Sequence, residues 1–293
     1  MCGCGLLNLN KPRGWSSRQG VDAVKRLVRP AKTGHAGTLD PLASGVLVIG
    51  VGAATRLLQY VQRMGKSYTA TFLLGRTSDT EDLEGQVVEL DRPPQPSEAQ
   101  VRAAAAALVG TIRQRPPAFS ALRVEGQRAY KLARKGKPVN LASREVQVYE
   151  LEVVDYDYPR LALRVRCGSG TYVRSLGRDL AESLGTGGVM SSLVRTAIGS
   201  FRIEDAIAPD QLSRERLRPL LSPPLAAVEW LPRVALAPDE VVCVRQGKTL
   251  PRDVLPVGEQ QECAAVDSEG RLVAILARRE SGQLGPICVL PEG

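Results

Sequence analysis

The chain has 293 residues, 43% of them apolar, and a formal charge of +8. That length fits one large domain with a small one, or two of middling size; no apolar run approaches the ~18 residues of a membrane span. A single histidine and six scattered cysteines (Cys2, Cys4, Cys167, Cys243, Cys263, Cys288), with no C-x-x-C pair, are poor material for a zinc centre, and the basic excess suits a polyanionic partner without deciding it.

The N-terminal MCGCGLLNLNKP lacks the basic region and long apolar core of a secretory signal. The expectation is a reduced, cytoplasmic protein. GLLNLNKPRGWSS reads as a short strand, a Pro-Gly turn and serines that can cap a helix, in which Val21, Val24, Leu27 and Val28 recur at helical spacing. GVLVIGVG (45–52) is a buried-strand pattern, followed by the helix-like AATRLLQYVQRMG, and SYTATFLLG (67–75) is a further strand. TSDTEDLEG (77–85) is an acidic turn. RPPQPSEAQ is a linker ending in a helix start, with Ser97 and Gln100 spaced as a capping box; the alanine-rich helix is predicted to run to about Gly110. LALRVRCGSG (161–170) alternates as a strand before the helical TYVRSLGRDLAESLG, and a proline-rich, partly helical passage covers 205–235. From about 237 the texture changes to short strands, EVVCVRQG, ECAAVDSEGRLVAILA and ICVL, with DSEG as a hairpin turn, which predicts a small all-β module. The strands of the larger part are too irregularly spaced for a doubly wound fold, so the class is mixed α+β.

Common cofactor motifs fail. VIGVGAAT supplies G-x-G-x-x-T but neither the third glycine nor an acidic residue about 20 positions on. GKS at 65–67 and GKT at 247–249 lack the upstream glycine of a phosphate-binding loop. No G-x-S-x-G elbow supports a serine nucleophile.

What remains is GHAGTLDPLASG, residues 34–45, which holds the lone His35 and, five residues on, Asp40 between a leucine and a proline. Asp40 reads equally as a turn aspartate before proline or as an isolated carboxylate, held ionised by an arginine and free to act as nucleophile or base. His35 is either a packing residue or a contact to phosphate or base. Tyr68 in KSYTATF is either an ordinary strand tyrosine or a ring that stacks on a base. GSGTYVR places Tyr172 and Arg174 at a strand–helix junction, where Arg174 is a surface residue or is aimed at an anion. The stretch from 113 to 144 is strongly basic, including Arg134 and Lys135, with Phe119 and Tyr130 interleaved. Such a run is usually a solvated face; here it also fits a phosphate-contacting flap.

Together these stretches resemble the TruB-type tRNA pseudouridine synthases. KTGHAGTLDPLASGVLVIGVGAATR is nearly the family's catalytic motif whole; NLNKPRGWSS, KSYTATFLLGRTSDTEDLEG, QRPPAFSALRVEGQRAYKLARKG, GSGTYVRSLGRDL and LVRTAIGSF match its other segments, with Val194 departing from a frequent arginine. The resemblance implies a mixed, mostly antiparallel sheet with helices over 1–236, a thumb-like insertion at about 113–144 and a PUA-like RNA-binding domain over 237–293. It implies conversion of uridine 55 in the T arm of tRNA to pseudouridine by base flipping, with no cofactor and no metal. Asp40 would be the catalytic carboxylate, Arg174 its partner and Tyr68 the ring stacked on the flipped base, with a part in the final proton transfer. His35, Lys66, Tyr172 and Leu193 would line the pocket or meet displaced nucleotides. Arg134 and Lys135 would help the insertion close on the T arm, and the tail would grip the acceptor end. The thumb-like insertion without a long extension suggests the stand-alone bacterial kind, a monomer using no guide RNA. Two other classes compete: an RNA chaperone that folds T arms without chemistry, and a nucleotide-dependent enzyme.

Overall fold

Strand β1 (Gly5–Lys11) leads through a turn to Ser16, whose hydroxyl accepts from Gln19 N while the Gln19 side chain accepts from Ser16 N at 2.8 Å. This reciprocal cap starts α1 (Ser17–Val28), which buries Val21, Val24 and Val28. The computed structural model describes residues 4–120, 122–124, 127–133, 136, 141–250, 262–280 and 282–292, without the side chains of residues 123, 124, 128 and 131. Arg134 and Lys135 lie outside the described residues.

The chain continues through β2 (Thr33–His35), β3 (Ala43–Val51), α2 (Leu58–Arg63), β4 (Lys66–Leu74) and a small hairpin of β5 (Arg76–Ser78) and β6 (Val87–Glu89). Next come α3 (Glu98–Ala107), β7 (Gly110–Gln114), the short β8 (Arg123–Val124), β9 (Gln127–Arg128) and α4 (Ala129–Ala133), then β10 (Arg144–Asp157), β11 (Arg160–Cys167), α5 (Val173–Ser183), β12 (Gly188–Ile198) and β13 (Phe201–Arg202). A sheet runs in the order β1-β3-β12-β4-β11-β10-β7, with β2 on β3 and β13 on β12; β3 and β12 are parallel and every other neighbouring pair is antiparallel. The fold is therefore the expected mixed, mostly antiparallel one.

Two boundaries differ from the sequence reading. The alanine-rich helix stops at Ala107, because Gly110 opens β7 against β10. For the same reason residues 113, 114 and 144 of the basic stretch belong to the sheet.

Helix α5 lies against the sheet centre at a glycine: a Cβ on Gly177 would collide with the Phe72 ring. Phe72, Leu163, Leu176 and Leu180 form the core there. A second cluster joins Leu57, Tyr60, Ile198 and Val228 to Ala264, Ile275 and Leu290 of the C-terminal part.

That part follows the short α6 (Arg214–Leu217) and consists of β14 (Arg233–Ala235), α7 (Pro238–Arg245), β15 (Glu262–Val266), β16 (Leu272–Arg278) and β17 (Leu284–Val289), paired in the order β14-β15-β16-β17. Its sheet begins at Arg233. The expected strand EVVCVRQG is instead helix α7, which corrects the all-β reading. Pro238 occupies the first helical position and Glu240 reaches back to Ala237 N at 2.8 Å, so local capping overrides the β-branched valines. The DSEG turn forms as expected: Asp267 Oδ1 accepts from Glu269 N and Arg271 N.

Candidate active site

The loop from β2 to β3 is pinned by α1. Ser17 Oγ accepts from Leu39 N at 2.8 Å and donates to Leu39 O at 3.0 Å, and Asp40 O accepts from Ala43 N at 3.1 Å. This sets the backbone on both sides of Asp40. Gly45 has φ +99, and a Cβ there would strike the Arg195 carbonyl, so this close approach of β3 to β12 requires glycine.

Arg174 comes to Asp40 from the first turn of α5. The start of that helix is fixed by buried Gln114 at the end of β7, whose side chain accepts from Tyr172 N at 2.8 Å and donates to Tyr172 O at 3.1 Å. Arg174 Nη2 lies 2.9 Å from Asp40 Oδ2 and donates to Phe119 O at 3.0 Å; Nη1 donates to Thr80 O at 2.7 Å and lies 3.5 Å from Asp82 Oδ2. The Arg174 side chain is 6% exposed, whereas that of Asp40 is 38% exposed. The guanidinium is thus buried with both terminal nitrogens among oxygens, while the carboxylate keeps an open face.

Asp40, Arg174, His35, Thr38, Leu39 and Ser120 line two cavities at once, one of 370 Å³ and one of 720 Å³. The smaller also takes in Lys66, Tyr68, Arg144, Tyr172, Leu193 and Arg195. Register explains part of this grouping: Leu193 pairs with Ala43 on β3 and Ala70 on β4, and Arg195 with Gly45 and Tyr68. Lys66 Nζ donates to the carbonyls of Gln62 and Met64. Burial, with Arg195 adding to it, pushes the Lys66 ammonium down to about 8. Burial also raises the Tyr68 phenol above its usual value and lowers the His35 imidazole, so both are neutral at pH 7. The Arg144 guanidinium lies over the Tyr172 ring, 5.1 Å from its centroid.

Every described residue expected at the site therefore stands in one place: Asp40, Arg174, Tyr68, His35, Lys66, Tyr172 and Leu193. Three neighbours escape the sequence reading. Asp82, 2% exposed, closes the acidic turn by accepting from Thr80 Oγ1 and Glu84 N through Oδ1. Arg195 is buried, donating to Val46 O at 2.7 Å and Gly37 O at 3.1 Å. Lys11 is buried at the end of β1, and burial pushes it down to about 8 against the pull of Asp40 and Glu84. The alternation of the strands carries part of the signal for the two cations: Arg195 shares a strand face with Leu193, and Lys11 with Leu7 and Leu9.

A profile of the family described as TruB family pseudouridylate synthase (N terminal domain) matches residues 25–173. The chain is 41% identical to the tRNA pseudouridine synthase B of Thermobifida fusca, over 97% of this chain and 98% of that protein. It belongs to the TruB family of pseudouridylate synthases. This TruB-family chain is 38% identical to the tRNA pseudouridine synthase B of Moorella thermoacetica, covering 98% of each. A crystal structure of an archaeal box H/ACA sRNP Nop10–Cbf5 complex is similar at TM-score 0.74 and 26% identity, over 98% of this chain and 86% of that one. The TruB-family enzyme is an isomerase, and its fold extends to a chain of that archaeal complex.

Proposed function

We propose that this TruB-family enzyme isomerises uridine 55 in the T arm of tRNA, with Asp40 as its catalytic carboxylate. The observation that carries the reading is the half-open Asp40 paired with the buried Arg174 at a cavity that also holds Tyr68 and Leu193. The names of the curated relatives support tRNA as the substrate class.

The reaction breaks the N1–C1′ bond and makes a C5–C1′ bond. C5 loses a proton and N1 ends with one, so the product is an isomer and needs no net oxidant or cofactor. Asp40 starts the exchange by attack on the base, by attack on the sugar, or by assisting elimination; all three use the same carboxylate. Arg174 holds that carboxylate by charge, while its hydrogen bonds to Thr80 O and Phe119 O fix where the guanidinium stands. The uridine must first leave its stack, at a cost of a few kcal/mol. Tyr68, a neutral phenol in a strand that cannot recede, offers the ring on which the extruded base lies. Leu193, on the neighbouring strand, lines the same cavity, as do Lys66 and Tyr172. His35, neutral and half-buried, fills space or contacts the displaced nucleotides.

In the same reading the basic insertion, including Arg134 and Lys135, closes on the T arm, and the C-terminal part acts as a PUA-like module on the acceptor end. The enzyme works as a cytoplasmic monomer without guide RNA or metal. The test is Asp40→Asn. Pseudouridine formation on a tRNA transcript, with no nucleotide or metal added, is expected to fall by at least about 1,000-fold while tRNA affinity changes little. Retained activity overturns the role of Asp40. Pseudouridine appearing only outside the T arm overturns the substrate position.

A further inference from the structure

We propose that Arg178 is a positioning residue for the reaction. It holds the acidic turn and the root of the basic insertion on α5 so that Arg174 meets Asp40. The inference rests on the role proposed for the Asp40–Arg174 pair and adds a group outside both cavities that the pair shares.

Arg174, Ser175 and Arg178 lie within about one turn on the same helix. Arg174 reaches two segments: Thr80 O and Asp82 in the acidic turn, and Phe119 O at the root of the insertion. Arg178 reaches the same two segments one rung further along. Its Nη1 pairs with Glu81 Oε1, and its Nη2 donates to Arg115 O at 2.8 Å. Ser175 Oγ donates to the other Glu81 oxygen at 2.9 Å. Asp179, the next residue of the helix, accepts from Arg178 Nε at 2.9 Å and from Nη2 at 2.7 Å.

Glu81 is the residue between the two that hold Arg174, and it stands at φ +63, a left-handed conformation that costs a glutamate on the order of 1 kcal/mol or more. Its side chain is 12% exposed, that of Arg178 11%, and burial raises the Glu81 carboxyl above its usual value. A buried carboxylate in an unfavoured backbone conformation persists only where its partners over-determine it. Here those partners are Arg178 and Ser175. The turn is also tied to β12, since Met190 N donates to Glu81 O and Leu83 N donates to Met190 O. Removing Arg178 therefore frees residue 81 to relax, shifts Thr80 O and Asp82, and unfastens Arg115 O at the same time. Arg174 then loses the frame that aims it. Arg178 is not among the residues lining either cavity at Asp40, so its effect reaches the chemistry only through Arg174.

The experiment compares Arg178→Gln, Arg178→Lys, Glu81→Gln and the Arg178→Gln/Glu81→Gln double variant in the full-length enzyme. It measures single-turnover pseudouridine formation on a tRNA transcript, tRNA Kd and thermal melting. Arg178→Gln is expected to slow the chemical step between about tenfold and 100-fold, with Kd within about twofold of wild type. Arg178→Lys should recover part of the rate, and the double variant should be no slower than the slower single one. A folded Arg178→Gln protein with a rate within about twofold of wild type overturns the proposal, as does a rate loss matched by a rise in Kd. Loss of the cooperative melt in both Arg178→Gln and Glu81→Gln also overturns it, because Arg178 is then a stability element. Asp40→Asn run alongside separates the two readings: activity retained there removes the Asp40 role, whereas a dead Asp40→Asn with an unaffected Arg178→Gln removes only this one.

Discussion

The two cavities that share Asp40 and Arg174 carry opposite charge. Among the described residues, the smaller is lined by Lys66, Arg144 and Arg195 with Asp40 as its single carboxylate. The larger is lined by Asp79, Asp82, Glu84 and Asp40 with Arg18 and Arg174. Hydrogen-bond donors and positive charge suit the carbonyl oxygens of a uracil and the phosphates beside it. A concentration of carboxylates repels the same phosphates. On the proposed reading the contrast gives the site at Asp40 a direction: the nucleotide that reacts is expected to enter from the cationic side. Burial pushes two lysines down to about 8: Lys66, which lines the smaller cavity, and Lys11, which lines neither cavity and is drawn upward by Asp40 and Glu84.

Removing the group common to both cavities tests the contrast most severely. Arg174→Ala leaves Asp82, 2% exposed, without its cation and Asp40 without its anchor. Stability should drop by roughly 3–5 kcal/mol, read by urea denaturation, because a buried carboxylate is left uncompensated. The single-turnover rate of the folded fraction should fall by at least about 100-fold. A variant as unstable as this but with an undiminished rate would show that Arg174 serves only Asp82, and that the Asp40 side of the site needs no guanidinium.

How far this arrangement was legible beforehand follows from the kind of signal each residue gives. Asp40 and His35 stand in a motif whose composition is odd for its setting, a lone carboxylate and the lone imidazole among glycines, and that anomaly survives without knowledge of the fold. Tyr68 and Arg174 read on their own as an ordinary strand tyrosine and a surface arginine, and only the family resemblance singles them out. Asp82 sits in a turn with three other acids, Asp79, Glu81 and Glu84, and nothing local distinguishes the one that β12 and Arg174 bury. Arg195 and Lys11 share their strand faces with apolar residues, but alternation alone does not say which face is inside; strand pairing does. The C-terminal helix α7 was misread because PDEVVCVR has the β-branched content of a strand, and the Pro238–Glu240 cap outweighs it. The main sheet was predictable in class but not in order: the parallel contact of β3 with β12 joins segments about 150 residues apart, and no local pattern announces it.

A gentler test concerns pH on the cationic side. Lys66 binds its proton below about 8 and loses it above, against the usual lysine value of 10.5, so the smaller cavity surrenders one positive charge as pH rises through that value. Affinity for tRNA should weaken between pH 7 and 9 by a few-fold to about tenfold, one unit of pKa being worth 1.36 kcal/mol. Lys66→Met, close in volume and never charged, should bind at pH 7 about as wild type binds at pH 9, and its remaining pH dependence should be only what Lys11 contributes. Filter binding across the range reads the difference. An affinity in wild type that is flat from pH 7 to 9 would mean that Lys66 meets no phosphate, and the cationic side would have to draw its attraction from Arg144 and Arg195.

The smallest effect is expected on the acidic side, at Glu84. This carboxyl stands at the exposed rim, and its pKa is raised by burial first and then by Asp82 and Asp40. It makes no ion pair among the described residues, so Glu84→Gln removes negative charge without breaking one. If phosphates avoid the larger cavity, that change should tighten tRNA binding at low salt by about threefold or less, leave the single-turnover rate within about twofold, and lose its effect at high salt as the charges are screened. Weaker binding by Glu84→Gln would point the other way. The carboxylate would then be accepting hydrogen bonds from amino groups of the RNA, and the larger cavity would be a second nucleotide site whose acidity selects its occupant rather than repelling the backbone.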